Sequence, residues 1–281
     1  ITNPTVSVIV PTYNRSKTIK RAIRSVQSQS FTNWELIVVD DASQDSTKDQ
    51  VLSLKDSRVR YVRHSTNKGG SAARNTGIRE ANGSYTAFLD SDDEWLSDKL
   101  KLQVEKFNTS KYRPGAVYCR SLYTPTGDNQ LLRQRSARML SGSVLPALLK
   151  GWCPPTTSLF IIKKEVFRYA GVFDECLPAL QDYDMWVRLA KYCTFDFVNE
   201  PLVISHSDAD NQITKDPSAR SRAISVFFDK WESEIRNMFG NKKFEEVKND
   251  RLAKLYRNSI RSDPHNSLNY LRSLYEISKL T

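Results

Sequence analysis

Hydrophobic positions along this chain form short continuous apolar runs and longer stretches of three-to-four-residue period, and in the first hundred residues the two alternate. Val6-Ser7-Val8-Ile9-Val10 is rich in β-branched residues and stops at Pro11-Thr12-Tyr13-Asn14, as a buried parallel strand feeding a loop does. Between residues 16 and 29, Ile19, Ala22, Ile23 and Val26 recur at i, i+3, i+4 and i+7, which predicts an amphipathic helix. Residues 34–39 read as a second buried strand, ending in Asp40-Asp41-Ala42-Ser43. Strand, helix, strand predicts a right-handed βαβ unit with both strand ends on one edge.

The alternation continues with a helix over 46–54, a short strand over 59–62, the turn Asn67-Lys68-Gly69-Gly70, and a helix over 71–81 whose Ala72, Ala73, Thr76 and Ile78 form a small-residue face. The glycine turn opening that helix is a candidate anion-binding terminus or a simple helix cap. Next comes a strand over 85–93 that runs into three carboxylates, Asp90, Asp92 and Asp93. In open α/β sheets ligands collect beyond the carboxyl ends of strands, and hard oxygen donors there suit Mg²⁺ or Mn²⁺ carrying a phosphorylated ligand. The competing reading is a surface turn or helix cap, for Asp93 above all.

Beyond residue 112 the pattern predicts a strand and turn within 112–127, a helix over 143–149, and the loop Gly151-Trp152-Cys153-Pro154-Pro155-Thr156-Thr157-Ser158 leading into a strand over 159–162. A helix over 183–189 follows, with Asp182 as its candidate N-cap, then a strand over 201–205 and His206. Asp216 and Pro217 open a helix with Ile224, Phe227, Phe228, Trp231 and Ile235 on one face; a second carries Val247, Leu252, Leu255, Tyr256 and Ile260, and a third begins at Asp263-Pro264.

Length and composition narrow the class. A chain of 281 residues holds one large α/β unit without staples. It has no apolar run long enough to span a membrane, and its start at Ile1 is consistent with a trimmed chain. Four scattered cysteines without zinc spacing fit reduced thiols and a cytoplasmic location. The net charge of +10 implies an anionic partner. No zinc-finger spacing or stacked-aromatic signature accompanies it, so nucleic acid is not expected. Lys242, Lys243, Lys248, Arg251, Lys254, Arg257 and Arg261 give the last helices a basic character. They read either as a solvated face of capping helices or as a peripheral contact with the anionic inner face of a membrane.

Taken together, Ser7-Val8-Ile9-Val10-Pro11-Thr12-Tyr13-Asn14, Val38-Val39-Asp40-Asp41-Ala42-Ser43, Asn67-Lys68-Gly69-Gly70, Ala73-Arg74-Asn75 and Leu89-Asp90-Ser91-Asp92-Asp93 resemble the family 2 glycosyltransferases of bacterial surface-glycan type. The resemblance resumes at Gly171-Val172-Phe173-Asp174 and Gln181-Asp182-Tyr183-Asp184-Met185-Trp186, and covers roughly residues 5–215. It implies a GT-A fold, a Rossmann-like mixed sheet flanked by helices, with a nucleotide-sugar half over 1–112, an acceptor half over 113–215 and a helical extension over 216–281. It also implies a nucleotide-sugar donor, often UDP-linked, a glycan or lipid-linked acceptor, Mn²⁺ or Mg²⁺, and inversion at the anomeric carbon.

Carried over by position, Pro11, Tyr13, Asp41, Asn67, Arg74, Asp90 and Ser91 would face the donor, Asp92 and His206 the metal, and Asp182 would be the general base. Trp152, Thr157, Asp184 and Trp186 would face the acceptor. Gln181 departs from the family pattern, where an acid commonly precedes the base. The residues leave alternatives open: Asp184 and Asp174 compete with Asp182, and both tryptophans read equally as packing. The polar segment 208–214 reads as a lid over bound donor. A metal across the diphosphate and one carboxylate base suffice for an inverting transfer, whereas a glycosidase needs two flanking carboxyl groups. A non-catalytic sugar-nucleotide-binding relative or a scaffold for glycan assembly is the alternative; it would have less need of metal acid and base together.

Overall fold

The computed structural model describes residues 3–124, 132–134, 138–206 and 217–262, with Leu268, Leu271, Arg272 and Tyr275. Parallel strands β1 (Val6–Thr12), β2 (Trp34–Asp40), β3 (Val59–Arg63) and β4 (Tyr85–Phe88) make one side of the sheet. Helices α1 (Ile19–Gln27), α2 (Thr47–Leu52) and α3 (Gly70–Glu80) connect them. Every residue of β1 is buried, because helices cover both faces of a parallel sheet and leave no solvent side. The predicted stripe of α1, Ile19, Ala22, Ile23 and Val26, is fully buried. A β-carbon on Gly77 of α3 would lie 2.3 Å from Ile9 Cγ2, so the helix sits closer to β1 than any other residue there would allow.

The acid-bearing strand stops earlier than its apolar pattern predicts. The chain turns at Asp90, the Asp93 amide donates to the Asp90 carbonyl at 3.0 Å, and β5 (Asp93–Trp95) leaves antiparallel to β9 (Phe195–Ser205). Asp93 is therefore neither a surface turn residue nor a helix cap: it is 6 % exposed and pairs with Ser205.

The rest of the chain builds α4 (Lys99–Thr109), β6 (Ala116–Tyr123), β7 (Arg133–Gln134), α5 (Leu145–Leu149), β8 (Ile161–Lys163), α6 (Phe167–Ala170) and α7 (Gln181–Ala190), then β9. Among the described residues the strands form one mixed sheet in the order β3-β2-β1-β4-β8-β6-β9-β5, with β7 on β6. β8 runs antiparallel between β4 and β6 and joins the two halves. This is the GT-A architecture.

Two long helices, α8 (Pro217–Phe239) and α9 (Asn241–Ser262), complete the described structure. The predicted face of α8 is buried, with Phe227 stacked on Tyr183 of α7 at 4.4 Å and 11°. Several charges of α9 point into the protein or pair locally. Lys248 is 7 % exposed, Lys243 bonds Glu246 at 2.9 Å, and Arg251 donates to the Gly151 carbonyl beneath the loop before β8. These contacts favour the packing role of the helices over a membrane-facing one. No helix among the described residues is long and apolar enough to cross a membrane. The expected lid over 208–214 and the Asp216 cap lie outside the described residues, as does the third helix apart from four positions.

Candidate active site

The carboxyl ends of β1, β2 and β4 converge on one edge, where each acid is held differently. Asp40 is buried, with Oδ1 accepting from the Ser43 amide at 2.8 Å and Oδ2 from the Tyr61 hydroxyl. The neighbouring Asp41 accepts from the amides of Lys68 at 2.9 Å and Gly69 at 2.7 Å, and His64 Nδ1 lies 2.7 Å from its Oδ1. The anion at the glycine turn is thus the protein's own carboxylate. Gly69 reaches it from φ +90, a conformation that favours glycine. Three of the roughly four acceptor positions of Asp41 are filled, which leaves room for one further donor.

Asp90 is held from three sides. Arg74 of α3 donates to Oδ1 at 2.7 Å; the hydroxyls of Thr157 and Thr156 lie 3.1 Å from Oδ1 and 3.0 Å from Oδ2. Its own amide donates to Ser158 Oγ at 3.0 Å. Burial raises the pKa of this carboxyl, but the Arg74 charge and the hydrogen bonds from Arg74, Thr156 and Thr157 outweigh it and hold the group below the usual carboxylate range. Asp92 goes the other way: burial and the Asp90 charge push it up, against the opposing charges of Arg15 and Arg21. Asp93 is pushed well up by burial and by both neighbouring acids.

A divalent cation would relieve that repulsion. Among the described residues no three His, Cys, Asp or Glu side chains could hold a metal on their own. Mg²⁺ and Mn²⁺ commonly take one or two carboxylates and complete their shell with water and substrate phosphate, and Asp92 fits that pattern. Arg15 Nη2 stands 3.8 Å from Asp92 Oδ2, an ion-pair separation rather than a hydrogen bond. His206 follows Ser205 at this edge, with Nε2 3.2 Å from Glu94 Oε2.

Asp182 lies in the first turn of α7, and its carboxyl responds to both Arg74 and Asp90. Burial raises its pKa; the Tyr183 amide, donating to Oδ1 at 2.8 Å, and the Arg74 charge pull it back only in part. It is not the helix cap: Leu180 holds that position at φ +61. Asn75, beside Arg74, fixes the approach to this helix through both the amide and the carbonyl of Phe173, at 2.8 Å each.

Three of the expected acceptor residues are held by contacts within the protein. Asp184, two residues on, has 0 % exposure and is enclosed by Arg188 Nε at 2.8 Å, Lys230 Nζ at 2.9 Å and the Trp231 indole at 3.1 Å, so it ties α7 to α8 and faces no acceptor. A two-residue step on a helix turns a side chain well away from its predecessor's face. Trp186 is fully buried and stacks on Phe160 at 3.8 Å, as packing. Trp152 donates its indole N–H to the Arg138 carbonyl at 2.8 Å and packs edge-on against Tyr118. Thr157 reaches the acid edge but serves Asp90. On the donor side, Tyr13 is 41 % exposed and Asn67 exposed, Ser91 is buried in the acid turn, and Pro11 lies within β1. Sequence reasoning missed His64, Arg15, Arg21, Thr156 and Ser158. The three successive hydroxyls after Pro154-Pro155 were the available signal for the last two.

The glycosyl transferase family 2 model matches residues 7–168, more than half the chain and the carboxyl ends of β1, β2 and β4. The chain belongs to glycosyl transferase family 2. Its relatives are named glycosyltransferases. It is 34 % identical over 228 residues to the Escherichia coli K12 putative colanic acid biosynthesis glycosyl transferase WcaA, covering 76 % of this chain and 77 % of that one. It is 46 % identical over 99 residues to the Escherichia coli enzyme UDP-Glc:alpha-D-GlcNAc-diphosphoundecaprenol beta-1,3-glucosyltransferase WfgD, covering 35 % of this chain and 39 % of WfgD, well under two thirds of that relative. Among solved structures, S. aureus TarS 1–349 with UDP-GlcNAc superposes with a TM-score of 0.66 at 16 % identity, covering 96 % of this chain and 89 % of that one. The mannosyltransferase PcManGT from Pyrobaculum calidifontis, with GDP-Man and Mn²⁺, gives 0.60 at 22 % identity, covering 98 % and 76 %. At those identities the two structures speak for the fold of this family 2 protein.

Proposed function

We propose that this family 2 glycosyltransferase moves a sugar, with inversion, from a uridine diphosphate sugar to a hydroxyl of a lipid-linked or growing surface polysaccharide. The observation that carries the reading is the position of Arg74, bonded to Asp90 at the strand edge while its charge acts on Asp182. One guanidinium thereby links the donor edge to a partly protected carboxylate. The UDP donor in the name of WfgD and the UDP-GlcNAc bound to TarS support the choice of nucleotide, and the colanic acid role in the name of WcaA supports the acceptor class.

Asp41, preset by the Lys68 and Gly69 amides and His64, takes the base N–H; Tyr13 flanks the base. Asp92, with His206 at the same edge of the sheet, would hold Mn²⁺ or Mg²⁺, which when bound would neutralise charge on the departing diphosphate. Asp182 removes the proton of the acceptor hydroxyl, and a raised pKa suits a general base working near neutral pH. Arg74 keeps that carboxylate ionised by opposing its burial. Residues 1–112, 113–215 and 216–281 then divide by task rather than by fold, since a single sheet runs through the first two. A panel of UDP-, GDP- and dTDP-sugars with Mn²⁺, read by thermal shift and donor hydrolysis, tests the reading. A UDP-sugar should give the largest shift and slow hydrolysis. A larger response to a GDP-sugar would overturn the nucleotide choice, and no response to any would overturn the donor site.

A further inference from the structure

The sheet has a second concave edge, opposite the acids. Where β4 begins, β8 ends and β6 and β9 begin, two cavities of about 610 and 530 Å³ share Lys163 and Glu165 and so form one trough. Three of the exposed tyrosines lie in it: Tyr112 at 39 %, Tyr192 at 56 % and Tyr169 at 70 % exposure. Tyr169 and Tyr192 sit side by side, ring centroids 6.1 Å apart and 31° from parallel. The trough also holds Arg113, Lys163, Lys164, Arg168 and Lys191 against the one carboxylate of Glu165. Lys164 is tied to the Ala81 carbonyl and Lys191 to Glu234, whereas Arg113 and Arg168 are exposed and in no ion pair among the described residues. Arg113 is held at φ +48, a left-handed conformation uncommon for a side-chain-bearing residue and concentrated at functional sites.

We infer that this trough is a second, non-catalytic binding site for an anionic oligosaccharide, with the tyrosine rings taking sugar faces and Arg113 and Arg168 taking carboxylates. Flat, rigid aromatic side chains with a polar tip provide contact area at small entropic cost, and the apolar C–H face of a pyranose matches a ring face. Five cations against one carboxylate, with Lys191 already paired to Glu234, leave an excess of positive charge that selects an acidic chain over a neutral one. The site is concave and runs through two adjoining cavities, which suits a chain rather than a flat membrane surface. Its place on the edge away from Asp90 and Asp182 lets it hold a polymer without blocking transfer. The inference needs no assumption about the donor or the base.

The test uses the whole chain, calorimetry, and a hexamer of uronic acid with maltohexaose as the neutral probe of equal length. The uronate hexamer should bind saturably, more tightly than maltohexaose, and less tightly as salt is raised. The double variant Tyr169→Ala, Tyr192→Ala should weaken that binding about tenfold or more, and Arg113→Ala should reduce its salt dependence, with UDP binding unchanged in both. Both tyrosines are exposed, so melting temperatures near wild type are expected. Undiminished uronate affinity in the double variant would overturn the inference. So would equal affinity for the neutral hexamer, no saturation up to about 10 mM, or stronger binding to single-stranded RNA or anionic vesicles than to the uronate.

Discussion

The strand edge and the base helix hold their acids in different ways. At the edge, Asp41 and Asp90 are met by loop amides, hydroxyls and a guanidinium, groups that arrive from two connections of one sheet, β3 to β4 and the segment before β8. On α7, Asp184 is met by Lys230 and Trp231 from a helix some forty-six residues further on, together with Arg188 of its own helix. Strand ends aim every terminal side chain at a common edge, so chemistry there follows from strand order. A helix points successive residues in different directions, so the role of each acid depends on what packs against that face. The difference explains why Asp182 and Asp184, two residues apart, separate into a site carboxylate and a structural ion pair.

The sharpest way to break this contrast is Asp182→Asn. It should lower transfer by about a hundred- to ten-thousandfold with UDP affinity nearly intact, read by turnover and calorimetry. Near-native turnover in the folded variant would remove Asp182 from the base role. Asp184→Asn should show the opposite profile, a stability loss of about 3 kcal/mol from leaving the Arg188 guanidinium without its buried carboxylate while Lys230 keeps Asp174, seen in denaturant unfolding. The molecules that remain folded should keep most of their activity.

Asp92→Ala should abolish most of the gain in UDP affinity that Mn²⁺ provides, on the order of tenfold or more, and leave metal-free binding little changed. Equal affinity with and without metal in the wild type would count against the metal role. Arg74→Met sharpens the link between edge and helix through pH. Asp182 must be ionised to act as a base, its pKa is already raised, and Arg74 lowers it. The acid limb of the rate profile should therefore lie above the ordinary aspartate value of about 3.9 and move higher still in the variant. A limb that stays put would mean that Arg74 does not act on the base. The smallest effect is expected at Lys243→Ala, an exposed pair with Glu246, which should leave the denaturant midpoint close to that of the wild type.

Much of the edge was legible in the chain. Continuous apolar runs marked β1 and β2, and the residues after them, Tyr13, Asp41 and Asp90, come to one side because parallel strands end there. The end of β4 was misjudged, since an apolar pattern cannot reveal that Asp90 turns back and Asp93 starts a strand with a partner more than a hundred residues away. The α8 stripe was readable from its period, yet its partner Tyr183 was not.

By itself the sequence determined the order of strands and helices up to β4, the family, and which acids stand at strand ends, because these depend on local periodicity and spacing. The tertiary structure alone decided which carboxylates are occupied. It assigned Thr156 and Thr157 to Asp90, His64 to Asp41 and Lys230 to Asp184, and it turned Arg251 toward Gly151 rather than outward. It also brought Tyr112, Tyr169 and Tyr192 into one trough. Each of these contacts joins residues distant in the chain, and their energies depend on burial and partner geometry that no local pattern encodes.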